Sequence, residues 1–580
     1  MRAAGDVPVT LLPTLAELPV LLLDVQATSS DPARGALLEL AWARFAADGT
    51  GALPQDRVTA HVVAPPPGAT LPRAVARVTG LGHADWSRGI DSGEAFDRLR
   101  QALMGLAACG AAVPAVIHFA RFEEPYLRAL HARHGEGAFP FDIICTHAIA
   151  CRLLPQLPRR TLRALAGYFG AGVPPQRRAA DHVVATAFVW QRLVALLEER
   201  EGVASRAALA DWLARPARRA PRAFPLERAR RRELPDRPGV YRLLRAGGTV
   251  VYVGKAASLR QRVSGHFHAH AGQGERALEM LTQVRDVSWA VTETALEAAL
   301  LEADEIKRLC PPFNVALAAA GRSVWFATAD LAELGERPGP EHACGPFVSP
   351  APLEALAALR AVVAGSCPAP LATRARAVGT EPGYAPGPEC FAAGLSHFRE
   401  AYGSDARVPG LLRLGAQLWA RRREAAAAAV AADSHEARPR DSERRRPAWD
   451  KERVTLALEE TVLRAAHAVR RARWLVRLSE CSLAWAEPDD PERLRVLVID
   501  GGAVAERAEL TPGAPLPLPP GHARPAAERR AAFDLARFDR LRVLTTELRT
   551  LAAGAPSVEL RFGLHARLSQ PQLRWALRWL

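Results

Sequence analysis

The sequence predicts a multidomain α/β protein, and three observations carry the prediction. Residues 8–200 alternate strand-like apolar runs with stretches of helical spacing. A second, shorter alternation of the same kind fills 238–318. The length, 580 residues, exceeds what one core supports; at roughly 100–200 residues per domain it implies about three to five domains.

In the first region Val20-Leu21-Leu22-Leu23-Asp24 is a buried-strand run and Ala36–Ala46 a second strand. Ala115-Val116-Ile117-His118 is a third, followed by a helical pattern through Arg133. Leu162–Gly170 and Ala179–Glu199 carry apolar residues at helical spacing. Residues 203–237 change character: Arg215–Arg222 and Arg228–Arg232 are Pro/Arg-rich and read as a linker, either a solvated tether or a phosphate-grasping arm. In the second region Gly239–Leu244 and Thr249–Val253 flank Ala246-Gly247-Gly248, a hairpin pattern. A helix from about Ser258 and another over Thr292–Leu309 follow.

Beyond that, 345–365 reads as a small appended element and 380–420 as short helices. Ala425–Arg446 is low-complexity, a loose helix end or disordered insert. Val454–Leu478 is a long Arg-rich amphipathic helix, and 482–580 mixes a strand-like Leu494–Asp500 with later helices. The expected divisions are therefore 1–202, a linker 203–237, 238–318, 319–420, the insert 421–452, and a mixed helical/α+β region 453–580.

Composition narrows the class. Hydrophobic residues at 49% and charged ones at 24% exclude wholesale disorder. No run of about 18 apolar residues reads as a membrane span, and the N-terminus lacks the pattern of a signal peptide. The eight cysteines include no CxxC, so neither a disulfide framework nor a zinc knuckle is indicated, and a cytoplasmic chain is expected. The net charge of +14 favours a polyanionic partner, DNA or RNA ahead of an acidic membrane. The alternative is an evenly spread arginine excess from GC-rich coding. Only three of the 76 basic residues are lysine (Lys255, Lys307, Lys451), so each marks a place where a compact ammonium does what a planar guanidinium does not.

The region 238–315 concentrates the chemistry. A two-residue turn at Gly247-Gly248 or Ala246-Gly247 puts Tyr241 and Tyr252 on one sheet face, away from Val240, Val251 and Val253. Counting from Lys255, Arg262 and His266 follow at whole helical turns, which aligns ammonium, guanidinium and imidazole. Glu293, Glu297, Glu302 and Glu305 come from the second helix. Phenol, fixed cations and one carboxylate suit phosphodiester hydrolysis: the carboxylate holds a divalent metal, the phenol helps deprotonate water, and arginine neutralises transition-state charge. The competing reading is that strand tyrosines pack and helix glutamates face water.

The motif order is Gly239-Val240-Tyr241, Tyr252-Val253-Gly254-Lys255-Ala256, Leu259-Arg260-Gln261-Arg262-Val263, Ala298–Glu302, then Pro312-Phe313-Asn314-Val315. It resembles the GIY-YIG nuclease family, and most closely the excinuclease type represented by UvrC and Cho. The resemblance implies Tyr252 beside the attacking water, Arg262 as transition-state cation and Glu302 as metal ligand. Tyr241, Lys255, His266 and Asn314 stand in support, with Mg²⁺ or Mn²⁺ as cofactor. His266 occupies a position where this type usually has tyrosine. The similarity continues weakly through Gly345–Ser349, and the second, RNase-H-like nuclease domain of UvrC is not recognisable in 454–580.

In the N-terminal region Asp24-Val25-Gln26-Ala27-Thr28 closes a buried strand. Val78–Leu81, His118–Glu123, Leu162–Ala166 and Ala185–Ala187 follow in order. This resembles the DEDD exonucleases, such as the proofreading epsilon subunit of DNA polymerase III, and implies their RNase-H-like fold. That family holds two metal ions about 4 Å apart with four carboxylates and uses a histidine base. Here Asp24 matches, but Gln26 replaces a glutamate and Glu123 replaces an aspartate. Arg177 and His182 occupy the expected His and Asp positions; Asp181, one residue off, is rotated about 100° on a helix. The domain is expected to bind without efficient hydrolysis.

The resulting expectation is a DNA-repair nuclease: a degenerate exonuclease-fold domain beside a metal-dependent endonuclease, with DNA and other repair proteins as partners, no membrane, and no small-molecule cofactor. A bifunctional nuclease and a non-catalytic basic DNA-binding scaffold are the alternatives.

Overall fold

The computed structural model describes residues 13–49, 51–106, 112–171, 177–217, 220–268, 274–315, 317, 322–365, 369–431, 448–487, 489–578 and 580. Most of the low-complexity insert, and Cys109 and Cys367, lie outside the described residues. Contacts divide the chain into two compact units: residues up to 298 with 311–315, and 299–310 with the rest.

The first unit opens on a five-stranded sheet of β1 (Val20–Ala27), β2 (Leu37–Phe45), β3 (Thr59–Val62), β4 (Val113–Ile117) and β5 (Phe141–Cys145), ordered β3-β2-β1-β4-β5. β1 runs antiparallel to β2 and parallel to β4, which is parallel to β5. β1 is apolar at nearly every position because both of its faces are covered. Val20 and Leu22 pack with Trp190 and Leu193 in one core, and Leu21, Leu23 and Val25 pack with Phe96 and Leu127 in the other. This order, with these strand directions, is the RNase-H-like fold that the sequence predicts.

The helix Ala179–Glu201 is long and apolar enough to cross a membrane by length and composition, which corrects the expectation that no such stretch exists. Its Val183, Trp190, Leu193 and Leu197 are fully buried in the domain core.

The expected linker is more structured than its composition implies. A helix over Arg206–Ala214 sends Leu209 and Trp212 into the N-terminal core, while Leu226 and Leu234 enter the next one. Arg230 bonds Asp286 and lies 5.1 Å from the Trp289 ring, and Arg231 lies 4.6 Å from that of Phe267. Apolar residues spaced among the arginines anchor the segment, and at least these two arginines are held against protein.

The second domain of this unit is a three-stranded antiparallel sheet, β7-β6-β8, of β6 (Gly239–Leu244), β7 (Val250–Ala256) and β8 (Asp286–Val291). Helices Leu259–His266 and Glu275–Gln283 flank it, the latter and β8 being elements that the sequence pattern did not announce. Ser258 caps the first helix by accepting from the Gln261 N–H at 3.2 Å.

The two domains of the first unit dock through the helices Leu162–Tyr168 and Glu275–Gln283. Gly167 faces Gln283 so closely that a Cβ there would collide with the amide. Arg245, 3% exposed, donates to Gln283 Oε1 at 2.8 and 2.6 Å and to the Ala171 carbonyl at 3.1 Å. The Arg159 N–H donates to Thr282 Oγ1 at 3.1 Å.

In the second unit, helices Ala351–Ala364, Pro388–Tyr402 and Lys451–Leu478 share a core that includes Leu356, Phe391, Phe398 and Leu458. A small sheet β10-β9-β11 comprises β9 (Trp325–Ala327), β10 (Leu334–Gly335) and β11 (Cys344–Phe347). A larger sheet comprises β12 (Cys481–Glu487), β13 (Asp490–Asp500), β14 (Ala503–Leu510), β15 (Val558–Arg561) and β16 (Arg567–Ser569). Its order, β14-β13-β12-β15-β16, parallels the N-terminal sheet, but β15 runs antiparallel to β12 where β4 runs parallel to β1. Asp539, in the helix Leu535–Gly554, is buried and accepts from Arg322 at 2.7 and 2.5 Å, with Lys307 Nζ at 2.5 Å. Lys307 is thus partly buried against Asp539, whereas Lys451 is exposed at a helix start.

Candidate active sites

The hairpin β6–β7 sets the first site. Its turn differs from the expected two-residue form: Ala246, Gly247 and Gly248 lie between Arg245 and Thr249, whose N–H and carbonyl bond at 2.9 Å. Gly247 and Gly248 have φ of 85° and 82°, a left-handed backbone that favours glycine. A bulge follows, since Leu244 pairs with Val250 and Leu243 with Tyr252, leaving Val251 extra. The bulge restores the register, so Tyr241, opposite Gly254, and Tyr252, opposite Leu243, share a face. Their ring centroids are 6.2 Å apart. Gly254 is required by close approach, because a Cβ there would overlap the Tyr241 phenol and crowd the Tyr252 ring.

His266 comes from the end of the helix Leu259–His266, and its Nε2 lies 2.6 Å from the Tyr241 hydroxyl. The His266 ring is 6.0 Å from that of Tyr252. Burial, with the Arg262 charge adding to it, pushes the imidazole down to about 4. The ring is therefore neutral at ordinary pH and shares one hydrogen bond with the Tyr241 hydroxyl. Arg262 stands one helical turn before His266, on the same helix face. Tyr241 is fully buried, whereas Tyr252 is half-buried.

The helical-turn argument does not extend to Lys255. That residue is in β7, paired with Val240, because the strand continues to Ala256 before the helix begins. Asn314 acts on backbone: its Oδ1 accepts from the Val253 N–H and its Nδ2 donates to the Val253 carbonyl, both at 2.9 Å. It thus satisfies β7 where that strand forms the sheet edge. On the helix Ala295–Leu309, Glu297 is buried against the Thr294 hydroxyl at 3.2 Å, closing the helix start, and Glu302 is half-buried. Glu293 is exposed and Glu305 buried.

The second site is at the end of β1. Asp24 Oδ1 lies 3.1 Å from His182 Nδ1, while Asp24 Oδ2 is buried with no hydrogen-bond partner. Glu123 is 3% exposed, and its Oε2 is likewise unpartnered. Burial raises its carboxyl well above the ordinary range, and the Asp24 charge raises it further. Gln26 donates to the Arg177 carbonyl at 3.0 Å, leaving its Oε1 buried and unpartnered. His118, on the same strand-to-helix segment as Glu123, bonds the Thr146 hydroxyl at 2.9 Å, and burial pushes it down to about 3.

Asp181 is engaged elsewhere. It accepts from the Arg177 and Arg178 N–H groups at 3.2 and 3.1 Å, capping the helix Ala179–Glu201, and from Gln55 at 3.1 Å. The arginine that bonds a carboxylate here is Arg178, whose Nε donates to Glu39 at 2.9 Å; the side chain of Arg177 is exposed. Sequence reasoning missed Glu39, which stands opposite Gln26 across β1 and β2. A lone acid inside the apolar run Leu37–Trp42 was the available indication.

The comparisons with known proteins agree with this layout. The model of the UvrC-like GIY-YIG domain matches residues 237–315. A Mycobacterium tuberculosis protein provisionally named a bifunctional exonuclease/endonuclease is 33% identical over 262 residues, 43% of this chain and 39% of that protein. The UvrABC system protein C of Alkalilimnicola ehrlichii is 41% identical over 125 residues, 20% of each chain. The solved N-terminal GIY-YIG endonuclease domain of Thermotoga maritima UvrC, described as bound to magnesium, is 30% identical over 15% of this chain and 94% of that domain, with a TM-score of 0.14. The matched parts span well under half the length of these curated relatives. Residues 237–315 match the UvrC-like GIY-YIG domain, carried beside an N-terminal domain whose sheet has the RNase-H-like strand order.

Proposed function

We propose that the chain is a DNA-processing nuclease whose GIY-YIG domain hydrolyses one strand to 5′-phosphate and 3′-hydroxyl ends in a repair context. The observation that supports this most is the packing of Tyr241, Tyr252 and His266 into one cluster, with Arg262 a turn away. Among the described residues no group of three His, Cys, Asp or Glu side chains is arranged to hold a metal. The half-buried Glu302 alone suits Mg²⁺, which dehydrates reluctantly and binds through one or two carboxylates, and Mn²⁺ is the alternative. The bound ion would supply Lewis-acid polarisation of a phosphoryl oxygen.

The chain's own residues do the rest. The half-buried phenol of Tyr252 orients the attacking water and takes part in its deprotonation. Arg262 neutralises charge that builds on the phosphoryl oxygens. Tyr241, hydrogen-bonded to the neutral His266, holds the histidine against the hairpin face. Lys255 sets the approach of the phosphate, and Asn314 keeps β7 straight beneath it. The test is nicking of supercoiled plasmid by Tyr252→Phe, Arg262→Ala and Glu302→Gln proteins. Loss of nicking with DNA affinity retained supports the endonuclease; nicking retained in all three removes it.

For the exonuclease-fold domain we propose DNA binding with impaired 3′–5′ hydrolysis. Four carboxylates are reduced to Asp24 and Glu123, and burial raises the carboxyl of the second above the ordinary range. A second reading has its own support: Asp24 Oδ2, Gln26 Oε1 and Glu123 Oε2 are buried without partners, as oxygens that serve a single cation would be. Strand-end degradation that disappears in Asp24→Ala would establish that bifunctional reading. No cleavage of any substrate by the wild-type chain would leave a DNA-binding scaffold.

A further inference from the structure

The helix Lys451–Leu478 changes charge along its length. After Glu460 it carries Arg464, Arg470, Arg471, Arg473 and Arg477 and no acid. Arg470, Arg473 and Arg477 are spaced at i, i+3 and i+7, so they share one face. That face borders an open groove of about 730 Å³, whose other wall is the helix Gln570–Arg578 with Gln572 and Trp575. Among the described residues no aspartate or glutamate lines the groove.

The two tryptophans of the groove differ. Trp474 is 8% exposed, donates to Thr545 Oγ1 at 3.1 Å and meets the Phe562 ring edge-on, so it is a fixed part of the wall. Trp575 is 57% exposed, with the Arg470 guanidinium 5.8 Å from its ring centre. Leaving so much indole in water costs stability that packing does not recover. An indole face beside guanidiniums is the pairing that takes a nucleobase by stacking and its phosphates by charge.

We propose that this groove binds single-stranded DNA, with an unpaired base on Trp575 and flanking phosphates on Arg470, Arg473 and Arg477. Duplex bases already stack on each other and offer no free face, so an unpaired strand is the occupant that uses the indole. The choice of DNA over RNA rests on the nuclease reading above; the groove itself does not.

The test uses the full-length chain, with EDTA present, and fluorescence anisotropy of a labelled 20-mer oligothymidylate. Trp575→Ala should weaken binding by about tenfold, and Trp575→Phe should recover part of that loss. Replacing all three arginines by glutamine should lower the slope of log K against log salt by about 2. An oligonucleotide carrying 5-iodouracil should photocrosslink within 570–578. Unchanged affinity and salt slope, or no crosslink in that helix, would overturn the proposal. Equal losses on duplex DNA, or preferential loss on oligouridylate, would overturn it as a site for single-stranded DNA. Because nothing is cleaved in EDTA, failure of the endonuclease reading leaves these outcomes intact.

Discussion

The two nuclease-type sheets of the first unit handle buried polar groups in opposite ways. At the end of β1, Asp24, Gln26 and Glu123 each keep an oxygen that is buried and unpartnered, and burial beside Asp24 raises the Glu123 carboxyl. On the β6–β7 hairpin, Tyr241 and His266 close on each other at 2.6 Å, with no formal charge on either. A site built on carboxylates is only as good as the positive charge that faces it, and losing one acid changes the protonation of the next. Phenol and neutral imidazole satisfy one another and tolerate burial. The N-terminal sheet thus leaves buried oxygens without partners at the end of its central strand, while the smaller domain pairs the polar groups it buries.

The sharpest way to break this comparison is to injure each centre in turn. Glu302→Gln or Arg262→Ala should lower single-turnover plasmid nicking by about 10²–10³-fold, while Asp24→Ala leaves it within about twofold. Equal losses from Asp24→Ala would mean that the two centres work as one. Lys255→Arg should then reduce nicking by roughly tenfold despite the retained charge, since the guanidinium is bulkier and planar where the ammonium is compact. Unchanged turnover would count against a positional role for the lysine.

Stability measurements sharpen the contrast. Asn314→Ala should cost about 1–3 kcal/mol in chemical denaturation, because it strips both partners from the fully buried Val253. Glu123→Gln probes the sign of the other centre. A carboxyl whose folded value is raised weakens the fold as pH climbs above the unfolded value of about 4.3, so the glutamine protein should gain about 1 kcal/mol or more at pH 8 and little at pH 4. A gain in wild-type melting temperature on adding Mg²⁺, absent from Glu123→Gln, would instead point to a working cation site there.

A further effect is expected in acid. His118 and His266 are held down to about 3 and about 4, so each contributes stability above the unfolded value of about 6.5 and loses it as pH falls toward those figures. The melting temperature should drop across that window, and His266→Gln should flatten part of the slope.

Much of this was legible in the sequence. Cross-strand pairing about the glycine turn predicted the shared face of the two tyrosines, although a three-residue turn with a bulge at Val251 delivers it. The unbroken apolar run of β1 announced a strand covered on both sides. What sequence could not carry was long-range pairing. Nothing local tells that Glu39 lies opposite Gln26, that Asp181 is used up as a cap, or that Arg178 rather than Arg177 meets an acid. The Pro/Arg-rich stretch misled for a related reason. Composition counted its arginines, while its anchoring depends on four scattered residues, Leu209, Trp212, Leu226 and Leu234.

The missing side chain of Gly167 has a mechanical consequence. With Gln283 nested against it and Arg245 gripping the same amide, the junction between the two folds of the first unit works like a key in a lock whose wards are one atom deep. A methyl at that point would jam it. The two folds are thereby held at a set span, measured with a ruler instead of a leash.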